Sequence, residues 1–361
     1  MSRRACTVGG SYMNVPSRIP LIVLFGGESA EHDVSCVTAA HVIAAANTEK
    51  YDITTIGITR AGIWNLVVPS TEELAAGRLS TAGTPTSLQT VTSLSTQCVV
   101  LPLLHGPLGE DGTVQGMLEL ANIAYVGSGV LSSAVCMDKV VSKQILHHHN
   151  VEQPAFIALR DGECSPADID AAIDQLGFPI FVKPANMGSS VGVSKVARRE
   201  DFMSALQLAF QYDEWAICEE FISGREIEVA VLGNMEPIAS VPGEIVPAGE
   251  FYDYKDKYVN NSATLHIPAL LSTEQAQEVR EKALHIYKAL RCDGLARVDF
   301  FFEESTSRFL CNEVNTIPGF TPISMYPKLW EQTGISYSDL IDRLIDLAFE
   351  RHSRRRRHTS H

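Results

Sequence analysis

The chain has 361 residues, 45% of them hydrophobic and 20% charged, more than one compact core usually holds, so two or three domains are expected. A formal net charge of -14 argues against a nucleic-acid surface, which needs clustered Lys and Arg to displace counterions. No run reaches the roughly 18 apolar residues of a membrane helix, and the first 18 residues carry no apolar block of the secretory kind, so a cytoplasmic protein is expected.

The eight cysteines (Cys6, Cys36, Cys98, Cys136, Cys164, Cys218, Cys292, Cys311) are scattered, without a C-x-x-C pair or a histidine at zinc spacing, and read as reduced, buried small hydrophobes. Residues 1–18 lack periodicity and are expected to be disordered. From Ile19, PLIVLFGG is a continuous apolar strand ending in a Gly pair, the pattern of a parallel strand buried on both faces. SAEHDVSCVTAAHVIAAAN then reads as a helix with Ser29 as its N-cap and acidic residues in the first turn, where the helix dipole favours them. The strand–helix alternation recurs through YDITTIGIT, QCVVLPLLHG and the Gly-rich GPLGEDGTVQG, predicting a doubly wound α/β domain over 19–127.

MDKVVSKQILHHHN predicts a helix with Lys139 and Lys143 one turn apart. The strands VEQPAFIAL, FPIFVKP and WAICEEF, with the helix around SPADIDAAIDQLG, make 128–222 a small α+β domain. A third domain is expected over 223–352, and a disordered basic tail over 353–361, where Arg354–Arg357 stand among His and Ser.

Within the last third, GLARVDFFFEESTSRFLCNEVN reads as a hairpin turning at EESTS. If paired residues sum to 612, Asp299 faces Glu313 and Arg297 faces Asn315, all on one side of the sheet. Asp, Glu and Asn without His or Cys are hard-oxygen donors suited to Mg²⁺, although the same residues would serve as a polar outer face. The turn-rich exit NTIPG leaves the ligand end of the strand open and favours the metal reading. The block NMGSSVG (186–192) offers small residues and two hydroxyls to a phosphate, yet taken alone it reads more readily as a plain hairpin turn; no Walker A lysine follows it. Lys183, three residues before the loop, is more telling.

Together these blocks resemble the D-alanine–D-alanine ligases of the ATP-grasp superfamily from about Ile19 to Arg351: GGESAEHDVS, LHGPLGEDGTVQG, GSGVLSSAVCMDK, VKPANMGSSVG, FYDYKDKY, ARVDFF and NEVNTIPGFTPISMYP stand in order at family-like spacing. The resemblance implies an ATP-grasp fold of three domains, α/β and α+β. It implies ATP-phosphate lysines at Lys139 and Lys183, a mobile loop at Ser189 and Ser190, an adenine contact at Glu219 and a ribose contact at Glu226. It implies two Mg²⁺ ions, with Mn²⁺ as a substitute, on Asp299, Glu313 and Asn315. For substrate it implies Glu31 at the ammonium of the first D-alanine with His105 beside it, Arg297 at the oxyanion, Lys257 and Tyr258 in a lid, and Ser324 with Met325 at the carboxylate of the second D-alanine. Met325 replaces the Leu of many relatives, a volume-conserving change.

The implied reaction is ATP-dependent ligation of two D-alanines through a D-alanyl phosphate, supplying peptidoglycan precursors, by a cytoplasmic homodimer. The lid is expected to couple Ser189 to Tyr258, with Glu31 completing the network. A D-alanine–D-lactate ligase is the alternative within the class, disfavoured by the YDYKDKY lid. A non-catalytic ATP-grasp regulator would have lost Arg297 or the metal carboxylates, and both are present.

Overall fold

The computed structural model describes residues 18–87, 98–246 and 263–355. The first sheet contains β1 (Ile19–Gly26), β2 (Tyr51–Ile58), β3 (Trp64–Val67), β4 (Thr84–Pro85), β5 (Val99–Pro102) and β6 (Ala124–Tyr125) in the order β4-β3-β2-β1-β5-β6. The strands β2, β1, β5 and β6 are parallel, and β3 and β4 extend the β2 side antiparallel. The unbroken apolar run of β1 is explained by burial on both sides. Leu21, Val23 and Phe25 enter one core and Ile22 and Leu24 another, so alternation sends every side chain into protein. The strand order reverses between β1 and β5, which opens a crevice at their C-terminal ends.

The expected N-cap at Ser29 is displaced. The helix His32–Ala45 has Glu31 at its N-cap with no side-chain cap, while the Ser29 hydroxyl donates to His105 O at 2.7 Å and accepts from Glu31 N at 3.2 Å. Ser29 therefore ties the two crevice loops together instead of starting the helix.

The second sheet, β7 (Phe156–Arg160), β8 (Ile180–Pro184), β9 (Ser194–Val196) and β10 (Trp215–Glu220), runs antiparallel in the order β7-β10-β8-β9. The helices Pro166–Leu176 and Arg199–Ala209 cover one face through Ala172, Phe202 and Leu206. A Ser165 capping box with Asp168, and proline at the next position, explain where the first of these begins.

The third sheet comprises β11 (Arg225–Leu232), β12 (Ile238–Ala239), β13 (Gly243–Val246), β14 (Thr264–His266), β15 (Leu295–Glu303) and β16 (Arg308–Asn315). Its order is β14-β13-β11-β15-β16, with β12 on β11. Ile227, Val229, Val298 and Phe300 face the helix Thr273–Ala289 through Val279, Ala283 and Ile286. Each such side chain contributes roughly 1.5–3 kcal/mol by leaving water. The alternate positions, Glu226, Glu228, Arg297 and Asp299, are thereby turned to the opposite face.

Two features of the packing differ from the expected division. The helices Val130–Met137 and Lys139–His148, assigned to the middle segment, pack on the third sheet, where Cys136 and Leu146 join its core. The helix Tyr337–Arg355 returns to the first sheet at β5 and β6, while Met325–Gln332 packs on β11, where the Tyr326 hydroxyl donates to Val231 O. Tyr326, Trp330, Leu340 and Leu344 all join the core that holds Leu21 and Val23. The last helix also runs beyond the expected end at 352. Arg354 and Arg355 pair with Asp293 and Glu119, so the basic tail is later than the sequence suggested. At the other end Arg18, counted in the disordered stretch, donates to Thr48 O at 3.2 Å.

Candidate active site

The hairpin β15–β16 has the anticipated pairing where it matters: Arg297 lies opposite Asn315 and Asp299 opposite Glu313. Beyond Asp299 the register shifts by one, so Phe300 pairs with Cys311 and Asn312 is the extra residue. This bulge rephases the strand. Cys311 and Phe309 stay in the core while Glu313 and Asn315 face the site, which uniform alternation would forbid for Cys311 and Glu313 together.

Arg297 is largely enclosed, its side chain 15% exposed, and forks onto Asp299, with Nε and Nη2 each 2.7 Å from a carboxylate oxygen and Nε 3.1 Å from Glu228. Burial alone would lower its pKa; Asp299 and Glu228 more than offset this and hold the guanidinium protonated. Glu228 was not singled out in the sequence. Its signal is alternation: it follows Glu226 by two on β11 and lies opposite Asp299. Asp299, Glu313 and Asn315 form a hard-oxygen set on one patch, a donor chemistry that fits Mg²⁺. Asp299 is already committed to Arg297, and the Asn315 side-chain oxygen accepts from Ile317 N at 3.1 Å.

Glu219 is 2% exposed and sits between two lysines, with Lys183 Nζ at 2.6 Å and Lys143 Nζ at 3.3 Å. Burial would raise its pKa, but Lys143 and Lys183 lower it to about 2. The expected adenine contact therefore has its carboxylate occupied by lysines. Lys143, one turn beyond Lys139 on the same helix, is a site residue to which the sequence reading gave no role. Lys139 donates to Met187 O at 2.7 Å and approaches Glu313 at 3.7 Å.

The loop of the NMGSSVG block joins the antiparallel strands β8 and β9, so it is a hairpin connection as well as a candidate cradle. Ser189 and Ser190 both adopt left-handed backbone conformations, at φ 52° and 59°, unusual for residues with a side chain and common where a functional loop is held under strain. The Ser189 hydroxyl donates to Glu31 across the crevice. Glu31 is 8% exposed and does not cap its helix. Beside it, His105 is 4% exposed; its Nδ1 lies 3.1 Å from Ile317 O and 3.4 Å from Glu110, and its buried Nε2 has no hydrogen-bond partner among the described residues. Burial would lower the His105 pKa, but Glu110 and Glu31 raise it overall. Glu110, inside LHGPLGEDG, is a further residue the sequence reading passed over. It also accepts from Gly106 N at 3.1 Å.

Two cavities meet here. One of about 840 Å³ is lined by Glu31, His105, Arg297, Asn315, Ser324 and Met325. The other, about 410 Å³, is lined by Lys183, Ser190, Glu219, Glu226, Asp299 and the apolar Phe181 and Ile222. Lys139, Ser189, Glu228, Arg297 and Glu313 line both. The anticipated site residues are thus brought together, apart from Lys257 and Tyr258, which lie outside the described residues.

The family descriptions "D-ala D-ala ligase N-terminus" and "D-ala D-ala ligase C-terminus" match residues 20–128 and 145–346. The chain belongs to the D-alanine–D-alanine ligase family. A D-alanine–D-alanine ligase of Thermoanaerobacter sp. (strain X514) is 47% identical over 348 residues, covering 92% of this chain and 97% of that protein. That of Clostridium acetobutylicum is 46% identical, covering 92% and 98%. Among solved structures, the ligase of Coxiella burnetii matches with a TM-score of 0.80 at 34% identity, over 94% of this chain and 96% of that one. The VanG D-Ala:D-Ser ligase of Enterococcus faecalis matches at 0.80 and 36%, over 92% and 99%. The Bacillus anthracis ligase complexed with ATP matches at 0.74 and 31%, over 93% and 99%. The ATP-grasp architecture of this ligase family is therefore the fold of the present chain. Among the described residues no helix is long and apolar enough to cross a membrane.

Proposed function

We propose that this ligase joins two D-alanines at the expense of ATP, through a D-alanyl phosphate, for peptidoglycan precursor synthesis in the cytoplasm. The observation that carries the reading is the junction of the two cavities at Lys139, Ser189, Arg297 and Glu313. A nucleotide in the smaller cavity presents its terminal phosphate where an amino acid in the larger one presents its carboxylate. Family members include a structure named as complexed with ATP, which supports the nucleotide assignment.

Glu226 lines the smaller cavity and suits the ribose hydroxyls; Lys139 and Lys183 neutralise charge on the phosphates. Asp299, Glu313 and Asn315 would hold Mg²⁺ (or Mn²⁺), which when bound neutralises phosphate charge. Glu31 offers a carboxylate to the ammonium of the first D-alanine, and Ser189 fixes its direction. Once the first carboxylate is phosphorylated, the amine of the second D-alanine attacks the acyl carbon and phosphate departs. Arg297 faces the oxyanion that forms. Its Nε and Nη2 are committed to Asp299, and Nη1 makes no hydrogen bond among the described residues. Closure of the Ser189 loop against Glu31 keeps water from the acyl phosphate. The homodimer is carried by the family resemblance.

Phosphate release from Mg²⁺-ATP with D-alanine, compared with L-alanine and with D-alanine plus D-lactate, tests the reading when products are separated by mass. D-alanine-dependent release yielding the dipeptide is expected. An ester product would establish the lactate-using alternative, and ATP binding without turnover would overturn the ligase reading.

A further inference from the structure

The larger cavity is lined by five basic side chains among the described residues, and four are already paired. Arg78 is 2.7 Å from Asp33, His105 is 3.4 Å from Glu110, Lys139 is 3.7 Å from Glu313, and Arg297 forks onto Asp299. The fifth, Lys328, is half-buried and has no ion pair or side-chain hydrogen bond among the described residues. It lies one turn beyond Ser324 on the helix Met325–Gln332, so the two side chains share a face. Ser324 stands at the N-cap without capping the helix. Its hydroxyl lies 2.8 Å from Thr321 Oγ1, and the first-turn N–H groups point toward the same end of the cavity.

We propose that Lys328 is a specificity-determining residue that holds the carboxylate of the second amino acid. This deepens the ligase reading and rests on it. The chemistry of the two substrates separates them. The carboxylate of the first amino acid is consumed by phosphorylation, whereas that of the second keeps its negative charge from binding to product. A group whose charge never changes needs a standing cation, and Lys328 is the cation in this cavity that no acidic side chain among the described residues has taken. Because the contact is equally strong in ground and transition states, it governs binding of the acceptor and leaves the chemical step untouched.

The test is an internal competition. The enzyme is given ATP, D-alanine and D-alaninamide, an acceptor without a carboxylate, and the two products are separated by mass. The wild type is expected to favour the dipeptide. Lys328→Met, which keeps length and removes charge, is expected to shift the product ratio toward the amide by about tenfold, the order expected from loss of one charge-assisted contact. It should raise the KM for the second D-alanine with kcat preserved at saturation, and Lys328→Arg should restore the preference. An unchanged ratio in a Lys328→Met protein of wild-type melting temperature overturns the inference, as does a fall in kcat without a change in ratio; Lys328→Gln repeats the test if the Met variant does not fold. If the wild type forms no dipeptide, the ligase reading itself fails and the inference with it.

Discussion

Glu219 and Arg297 are the two charged hubs of the site, and their environments predict different failures. Glu219 has its pKa held at about 2, against an ordinary 4.5, by Lys143 and Lys183 acting against burial. A depressed carboxylate stabilises the fold fully above its unfolded value and loses that contribution as pH falls toward its folded value. Lys143→Met is therefore expected to lower the urea midpoint at neutral pH, with variant and wild type converging as the pH is taken from about 4.5 toward 2; parallel curves would exclude the pairing as the cause. Arg297 has its role in geometry as much as charge, since the fork onto Asp299 fixes where the remaining N–H groups point. Arg297→Lys keeps the charge and loses the fork, and kcat at saturating substrates is expected to fall about 100-fold. A fall of less than threefold would remove Arg297 from the oxyanion role.

At the scale of elements, the loops that leave β1 and β5 bring Glu31 and His105 together, and their fit is tight. Gly106 has φ 76°, and a Cβ there would stand 2.8 Å from Glu31 Oε2. Gly106→Ala is expected to displace the Glu31 carboxylate at a strain of about 1 kcal/mol or more and to raise the KM for the first D-alanine more than that for ATP. Equal changes in both would place the effect in the backbone rather than at Glu31. The hairpin β15–β16 shows a similar economy. The face carrying Arg297, Asp299, Glu313 and Asn315 was legible from spacing by two, because strand alternation is a property of the backbone itself. The bulge at Asn312 was not, because it answers to the core that claims Cys311 and Phe309.

On the scale of the molecule, the last helix closes the chain onto its first sheet. Arg351 is buried there, with Nη2 2.9 Å from Glu119 and 2.6 Å from the Tyr125 hydroxyl, its guanidinium over the Tyr125 ring and Nε 3.4 Å from Asp293. It joins the end of the chain to the first domain and to the turn before β15. Glu119 is partly solvated and Asp293 keeps Arg354, so the loss in Arg351→Met is discounted to roughly 1–3 kcal/mol. The unfolding free energy from urea titration should fall by that amount while kcat is unchanged, because no cavity-lining residue touches the clamp. A loss of kcat at unchanged stability would show that the clamp also sets the geometry of the site.

The ligase roles rested on the family resemblance; the sequence by itself determined the strand–helix alternation at its start, the carboxylates and Arg297 on one sheet face, and the glycine-rich loop. These are set by short-range rules of periodicity, turn formation and side-chain type, and the spacing within each motif preserves them. What only the tertiary structure decided is which partner each charge has. Lys143 and Lys183 converge on Glu219 from a helix and a strand far apart in sequence, Ser189 reaches Glu31 across two domains, and Lys328 alone among the described cavity cations is left unpaired. Pairing energy depends on distance and burial, and both arise only when separate elements pack.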